Sequence, residues 1–173
     1  MSEKVITVFG TGRAGPGDEA YGLAERTGRL LAEAGFTIAN GGYGGTMLAA
    51  AKGASEAGGE VIGVTCSAFK SRANKHVSRE IVTASLDERL DTLIRLGRAY
   101  VVLPGGTGTL LELAKVWELK NKGFAGADRP IILVGGYWNG LVELVAIDDA
   151  DSRRCVELAA GPQQVKDILA GRV

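Results

Sequence analysis

The sequence is poor in the residues that build covalent and metal frameworks. It holds two cysteines, Cys66 and Cys155, and one histidine, His76, in 173 residues. Neither cysteine stands in a Cys-x-x-Cys pair or in a Cys/His cluster, which argues against a disulfide framework and a zinc site. No metal is expected, and no cofactor. An excess of charge of one sign is missing too, since 20 Lys and Arg balance 20 Asp and Glu. A neutral chain has no global field to gather nucleic acid, so no nucleic-acid partner is expected, and a small anionic ligand would need a local site. No apolar run approaches the ~18 residues of a membrane span, and no membrane partner is expected. No leader-like segment precedes Val5-Ile-Thr-Val-Phe9, which reads as mature sequence. The expectation from these absences is a cytoplasmic protein in a reducing compartment.

What the chain has in excess is glycine, 26 residues of it, and the glycines cluster. Between the clusters, short β-branched runs alternate with stretches of helical periodicity. Strands are predicted at Lys4–Phe9, Phe36–Ala39, Glu60–Thr65, Glu80–Thr83, Ala99–Leu103, Pro130–Val134 and, with a weaker pattern, Cys155–Leu158. Helices are predicted at Asp18–Ala34, Thr46–Ala57, Leu86–Gly97, Leu110–Lys122, Trp138–Ile147 and Pro162–Leu169. Several strand runs are apolar throughout, as when both faces of a parallel sheet are covered. The alternation predicts an α/β fold, a doubly wound parallel sheet in a three-layer sandwich, with one domain over residues 1–173. Gly35 and Gly58 stand where helix C-caps are wanted, and Ser85-x-x-Glu88 and Thr109-x-x-Glu112 have capping-box spacing.

In such sheets ligands collect at the carboxyl ends of the strands. The glycine clusters fall there: Gly10-Thr-Gly-Arg-Ala-Gly15, Gly41-Gly-Tyr-Gly-Gly45, Gly105-Gly-Thr-Gly108 and Gly135-Gly136. Gly10-x-Gly12-x-x-Gly15 fits the dinucleotide fingerprint by letter. The second strand, however, ends in Ala39-Asn40 without the acidic residue that would hold a ribose. The stretch reads either as a tight turn or as a turn touching a mononucleotide through Gly10, Thr11 and Gly12. No Gly-Lys-Ser/Thr occurs, so a Walker-type loop is excluded.

Pro104–Glu112 carries the specific signal. Pro104 can end a strand because it lacks a ladder donor. Gly105, Gly106 and Gly108 are expected to take positive φ and let backbone approach a ligand, with Thr107 and Thr109 adding hydroxyls. Amides converging at the following helix start would cradle a phosphate. Glu112 has two readings. With Thr109 as N-cap it closes a capping box; otherwise it is a carboxylate one turn from the phosphate. Arg89 also has two. It sits at the cation-unfriendly start of its helix, with Ser85, Leu86, Thr92 and Leu93 as i±3 and i±4 neighbours. It is therefore either a solvated surface arginine or a residue aimed at something distant. Arg72, with Lys70, Lys75 and His76, lies in the loop after the third strand, where it could gate an anion or simply be solvated. The predicted Leu110–Lys122 helix is apolar nearly all the way round, which suggests a subunit interface beside the glycine loop or coverage by a neighbouring helix.

Pro104-Gly-Gly-Thr-Gly-Thr-Leu-Leu-Glu112 resembles the Pro-Gly-Gly-x-Gly-Thr-x-x-Glu signature of the Lonely Guy (LOG) family, phosphoribohydrolases once labelled lysine decarboxylases. Asp87-Glu-Arg-Leu90 lies where that family carries Glu-Arg-Lys, and Gly58-Gly-Glu-Val-Ile-Gly63 and Gly135-Gly-Tyr-Trp-Asn139 follow the same plan. The resemblance implies a Rossmann-like sandwich, a homodimer with sites at the interface, and a small-molecule nucleotide as partner. It implies cleavage of the N-glycosidic bond of a nucleoside 5′-monophosphate, AMP or a cytokinin nucleotide, to free base and ribose 5-phosphate. Arg89 and Glu112 take the catalytic positions by this resemblance, Gly105–Thr109 the phosphate site, and Gly10, Thr11, Gly12, Gly41, Gly42 and Arg72 surround the nucleotide. The chain departs from the pattern at Leu90 and Leu111, which replace a Lys and the first Glu of a pair. Gly41-Gly-Tyr-Gly-Gly45 is more similar to the related molybdenum-cofactor carriers, which bind without hydrolysing.

Overall fold

The structure, a computed structural model, describes residues 4–124 and 126–173. These residues build one sheet of seven parallel strands in the order β4-β3-β2-β1-β5-β6-β7. The strands are β1 (Val5–Phe9), β2 (Thr37–Asn40), β3 (Val61–Cys66), β4 (Arg79–Thr83), β5 (Ala99–Val102), β6 (Ile131–Val134) and β7 (Glu157–Ala159). The helices are α1 (Glu19–Glu33), α2 (Thr46–Glu56), α3 (Leu86–Leu96), α4 (Thr107–Asn121), α5 (Asn139–Asp148) and α6 (Pro162–Leu169). The chain winds outward from β1 to β4, then α3 carries it back to β5 on the other side of β1. The strand order therefore reverses between β1 and β5, the switch point at which an open α/β sheet parts its loops into a crevice.

Both faces of the sheet are covered, which is why the central strands are apolar throughout. Ile6 and Val8 of β1 point into the core beneath α1, α2 and α6, while Val5 and Phe9 point into the core beneath α3, α4 and α5. The first face is close-packed to the backbone. Gly28 of α1 lies on the Ala50 carbonyl of α2, and Gly53 of α2 on the Glu25 carbonyl of α1, so neither site has room for a Cβ. The expected C-caps form: Phe36 and Gly35 donate back to Leu31 and Ala32, and Gly59 and Gly58 to Ala54 and Ser55, both in the Schellman pattern.

Three sequence expectations are corrected. The helix after β5 begins at Thr107, not Leu110, with Gly106 as N-cap. Thr109 therefore caps nothing, and Glu112 is not its capping-box partner. None of Gly105, Gly106 and Gly108 takes positive φ, because two of them enter the helix start in ordinary conformations. Cys155 belongs to a 3₁₀ turn over Ala150–Cys155 rather than to the last strand, which starts at Glu157. The Ser85 cap does form, its hydroxyl accepting from Glu88 N–H at 3.1 Å while the Glu88 carboxylate accepts from Ala84 N–H at 2.7 Å.

Candidate functional site

At the switch point the loops after β1 and β5 part to open a cleft of about 850 Å³. Its walls include Gly10–Arg13 from the first glycine loop, after β1, Pro104–Gly106 from the third glycine loop, after β5, Thr107–Thr109 and Glu112 from α4, Arg89 from α3 and Tyr137 from the loop after β6. The third loop is built around a close approach. A Cβ on Gly105 would collide with the Thr109 side chain, which is buried beneath it, so the loop folds back on the first turn of α4. Leu110 N–H closes the first helical bond, on Gly106 C=O at 2.9 Å. The amides of Thr107, Gly108 and Thr109 have no protein acceptor among the described residues. Such a row of free N–H groups at the positive end of a helix dipole suits a phosphate or carboxylate.

Tyr137 steadies this loop. Its hydroxyl donates to the Gly105 carbonyl at 2.8 Å, and its ring meets Trp138 edge-on at 4.9 Å. The Gly105 carbonyl and the Gly106 N–H share one trans peptide plane and point opposite ways, so holding the first aims the second.

Glu112 lies in the second turn of α4, half-buried on the cleft wall. Its carboxyl group makes no hydrogen bond or ion pair among the described residues. Burial pushes its pKa up to about 7, and the nearby Arg89 charge holds it back from rising further. A carboxyl whose pKa burial raises, standing on a cleft wall, is a candidate for chemical work.

Arg89 is not a solvated surface residue. It is buried, its Nε donating to the Val64 carbonyl at 2.8 Å and its Nη2 to the Gly41 carbonyl at 3.1 Å. The guanidinium lies 5.4 Å from the centre of the Tyr43 ring, a cation–π distance, and 4.0 Å from Met47 Sδ. Its missing local partners are thus replaced by carbonyls at the ends of β3 and β2.

The second glycine cluster is turned inward. Gly42 N–H donates to Asn40 Oδ1 at 2.8 Å, and Gly42 C=O accepts from Asn74 N–H at 2.7 Å. A Cβ on Gly41 would collide with the Arg89 guanidinium. Gly41 and Gly42 do not line the cleft, and neither does Arg72, which is exposed on its loop. Lys75 and His76 line a separate hollow between α1 and α2. Tyr43, Met47, Phe69 and Tyr137, which sequence reasoning passed over, do line the cleft. Tyr43 and Tyr137 had a signal, since each stands inside or directly after a glycine cluster on the same rim; Phe69 had none.

Fold and cleft define a doubly wound α/β protein in which an anion-suited helix start and, one turn further along the same helix, a carboxyl without a partner among the described residues line one cleft at the switch point. The chain belongs to the phosphoribohydrolase (LOG) family: residues 47–167 match the family described as "Possible lysine decarboxylase". Cytokinin riboside 5′-monophosphate phosphoribohydrolase of Mycobacterium tuberculosis is 34% identical over 129 residues, 71% of this chain and 67% of that one. Among solved structures, the molybdenum cofactor binding protein of Rippkaea orientalis superposes with a TM-score of 0.81 at 28% identity, covering 98% of this chain and 97% of that one. The molybdenum cofactor carrier protein of Chlamydomonas reinhardtii gives 0.79 at 27% identity, covering 98% of each.

Proposed function

We propose that the protein hydrolyses the N-glycosidic bond of a nucleoside 5′-monophosphate, AMP or an N6-substituted cytokinin-type nucleotide, releasing the base and ribose 5-phosphate. The observation that carries this reading is Glu112, an unpartnered carboxyl on the same helix whose free amides suit a phosphate. Phosphate held on the amides of Thr107–Thr109 positions the sugar with binding energy remote from the bond that breaks. The C1′–N bond then breaks with its electron pair leaving on the base, and positive charge develops at C1′ as in glycosidases. Ionised Glu112 faces that charge and either deprotonates the incoming water or attacks C1′ before water displaces it. Net, water supplies the new C1′–O bond and the base gains a proton. Arg89, whose charge acts on Glu112, stabilises the electron pair on the departing base. Gly10, Thr11 and Gly12 close another wall, and Gly41, Gly42 and Arg72 do not line the cleft.

Incubation with AMP and with N6-substituted AMP, followed by chromatography, tests the reading by release of free base. Because the ionised carboxylate is the working form, kcat/KM is expected to rise with pH through about 7. A second reading, a nucleotide or molybdenum-cofactor carrier without chemistry, is favoured by the likeness to the two carrier-type structures. Tight binding with no base release would select it.

The assembly is proposed as a homodimer in the cytoplasm. Leu111 of α4 and Leu144 and Ile147 of α5 leave apolar side chains exposed on one side of the molecule, Ile147 at 83%. Both cysteines are free thiols, as in a reducing compartment. Light scattering at twice the chain mass, reduced to the chain mass by Ile147→Glu with Leu144→Glu, is the expected outcome.

A further inference from the structure

The amino ends of three neighbouring strands each carry a cation. Lys4 stands directly before β1, Arg98 directly before β5, and Arg129 two residues before β6. The sheet makes them neighbours. β5 lies between β1 and β6, Arg98 N–H donates to the Val5 carbonyl at 2.7 Å, and Tyr100 N–H donates to the Pro130 carbonyl at 2.9 Å. Strand spacing of about 4.8 Å thus brings the three side chains to one hollow of about 370 Å³, with Arg172 and Asp128 also on its wall. The strands are all parallel, so this hollow lies at the end of the sheet away from the cleft, whose loops follow the carboxyl ends. The proposed hydrolysis makes no use of it.

The cations here are held by neutral groups or by nothing. Arg98 is exposed, and its guanidinium makes no hydrogen bond or ion pair among the described residues. Arg129 is half-buried and braced: Nη1 donates to the Ile94 carbonyl at 2.9 Å and to the Tyr100 hydroxyl at 3.1 Å. That hydroxyl donates in turn to the same carbonyl at 2.8 Å. A Cβ on Gly126 would collide with Arg129 Nε, so a glycine at positive φ gives the guanidinium its room. Lys4 Nζ donates to the main-chain oxygen of Val173 at 2.7 Å. Arg172, by contrast, is paired with both carboxylate oxygens of Glu157 at 2.8 Å. Asp128 is the one acidic side chain on the wall, and it makes no hydrogen bond or ion pair among the described residues. Lys4, Arg98 and Arg129 therefore share the hollow with a single carboxylate, and their mutual repulsion is relieved when an anion enters.

We propose that this hollow binds a pyrophosphate group, free or carried on a nucleotide. A guanidinium fork matches paired phosphate oxygens. The Arg129 fork is set in place by Tyr100 and Ile94, and the Arg98 fork is free to close on the same ligand. A singly charged anion meets one fork and leaves the other bare, whereas a diphosphate engages both.

The test follows the full chain by two-dimensional ¹H–¹⁵N NMR at fixed ionic strength while pyrophosphate is added. The resonances of Arg98, Ala99 and Gly126–Arg129 are expected to move saturably. Any shifts at Thr107–Thr109 report the cleft and are read separately. Arg98→Ala, a change at an exposed side chain, should melt as the wild type does. It should weaken binding at the strand-start resonances by about tenfold, as the loss of a charge-assisted contact requires, and leave the cleft resonances as they were. Asp128→Asn should tighten the same site by about threefold, the scale of one screened like charge. Orthophosphate should bind there at least about tenfold more weakly than pyrophosphate, since it meets one fork. ADP equal to pyrophosphate supports a nucleotide-borne group, and ADP weaker than pyrophosphate supports the free one. Strand-start resonances that stay still overturn the proposal, as does an Arg98→Ala variant of unchanged affinity or orthophosphate binding as tightly as pyrophosphate.

Discussion

Two glycine clusters on the same rim of this sheet look alike as text and behave as opposites in space. Gly41–Gly45 is filled from within: Arg89 occupies the space where a Gly41 side chain would be, and Asn40 and Asn74 take up the polar groups of Gly42. Gly106–Thr109 is left open: no atom lies within 4 Å of a Cβ placed on Gly106 or Gly108, and three amides in a row have no acceptor among the described residues. One cluster is glycine because the protein's own guanidinium needs the room. The other is glycine where space is left for something else. The two are coupled, since the arginine that Gly41 admits is the charge that moderates Glu112 beside the open loop.

The largest expected effect is on the open side. Glu112→Gln should lower kcat for base release by about 10²-fold or more, the usual worth of a general base, while AMP still binds; unchanged turnover would end the catalytic assignment. The same variant has a stability signature. Folding raises the Glu112 pKa from 4.5 to about 7, so ionising the carboxyl costs the folded state as pH climbs through that window, and the penalty is complete above it. Glu112→Gln should accordingly melt higher than the wild type above pH 7 and equal to it below pH 4.5.

On the filled side, Gly41→Ala must displace the Arg89 guanidinium, and a loss of about 1–3 kcal/mol in denaturant stability is expected from such overpacking. A variant as stable as the wild type would show that the inward packing is not tight. Tyr137→Phe removes one hydrogen bond to Gly105 and should weaken AMP binding about fivefold, the equivalent of ~1 kcal/mol, with little change in melting. The smallest effect is Gly108→Ala, where an open helical glycine should gain about 0.5 kcal/mol of stability. A gain accompanied by weaker AMP binding marks the space as the ligand's, and a gain in both erases the contrast between the clusters.

Much of the architecture was legible because it rests on local rules. Apolar runs in β1, β3, β5 and β6, broken by helical periodicity, admit only a doubly covered parallel sheet. Gly35 and Gly58 marked helix ends because the Schellman turn needs a left-handed residue there. The start of α4 was misplaced by three residues for a reason equally local: Thr-x-x-Glu has capping-box spacing, and sequence cannot show that Thr109 is already buried under Gly105. Moving that start changes the meaning of Glu112 from a cap to a free side chain.

The glycine-rich turn into a helix at Pro104–Glu112, and Arg89 and Glu112 as candidates beside it, were legible in the order of residues alone, since phosphate-suited amides need only glycine followed by a helix start. Tertiary structure alone decided which cluster faces outward, that Arg89 is held by carbonyls 25 and 48 residues away in sequence, and that Phe69 joins the wall. The physical reason is distance along the chain: a carboxyl's pKa, a guanidinium's partners and a ring's neighbours come from segments that meet only when the sheet closes.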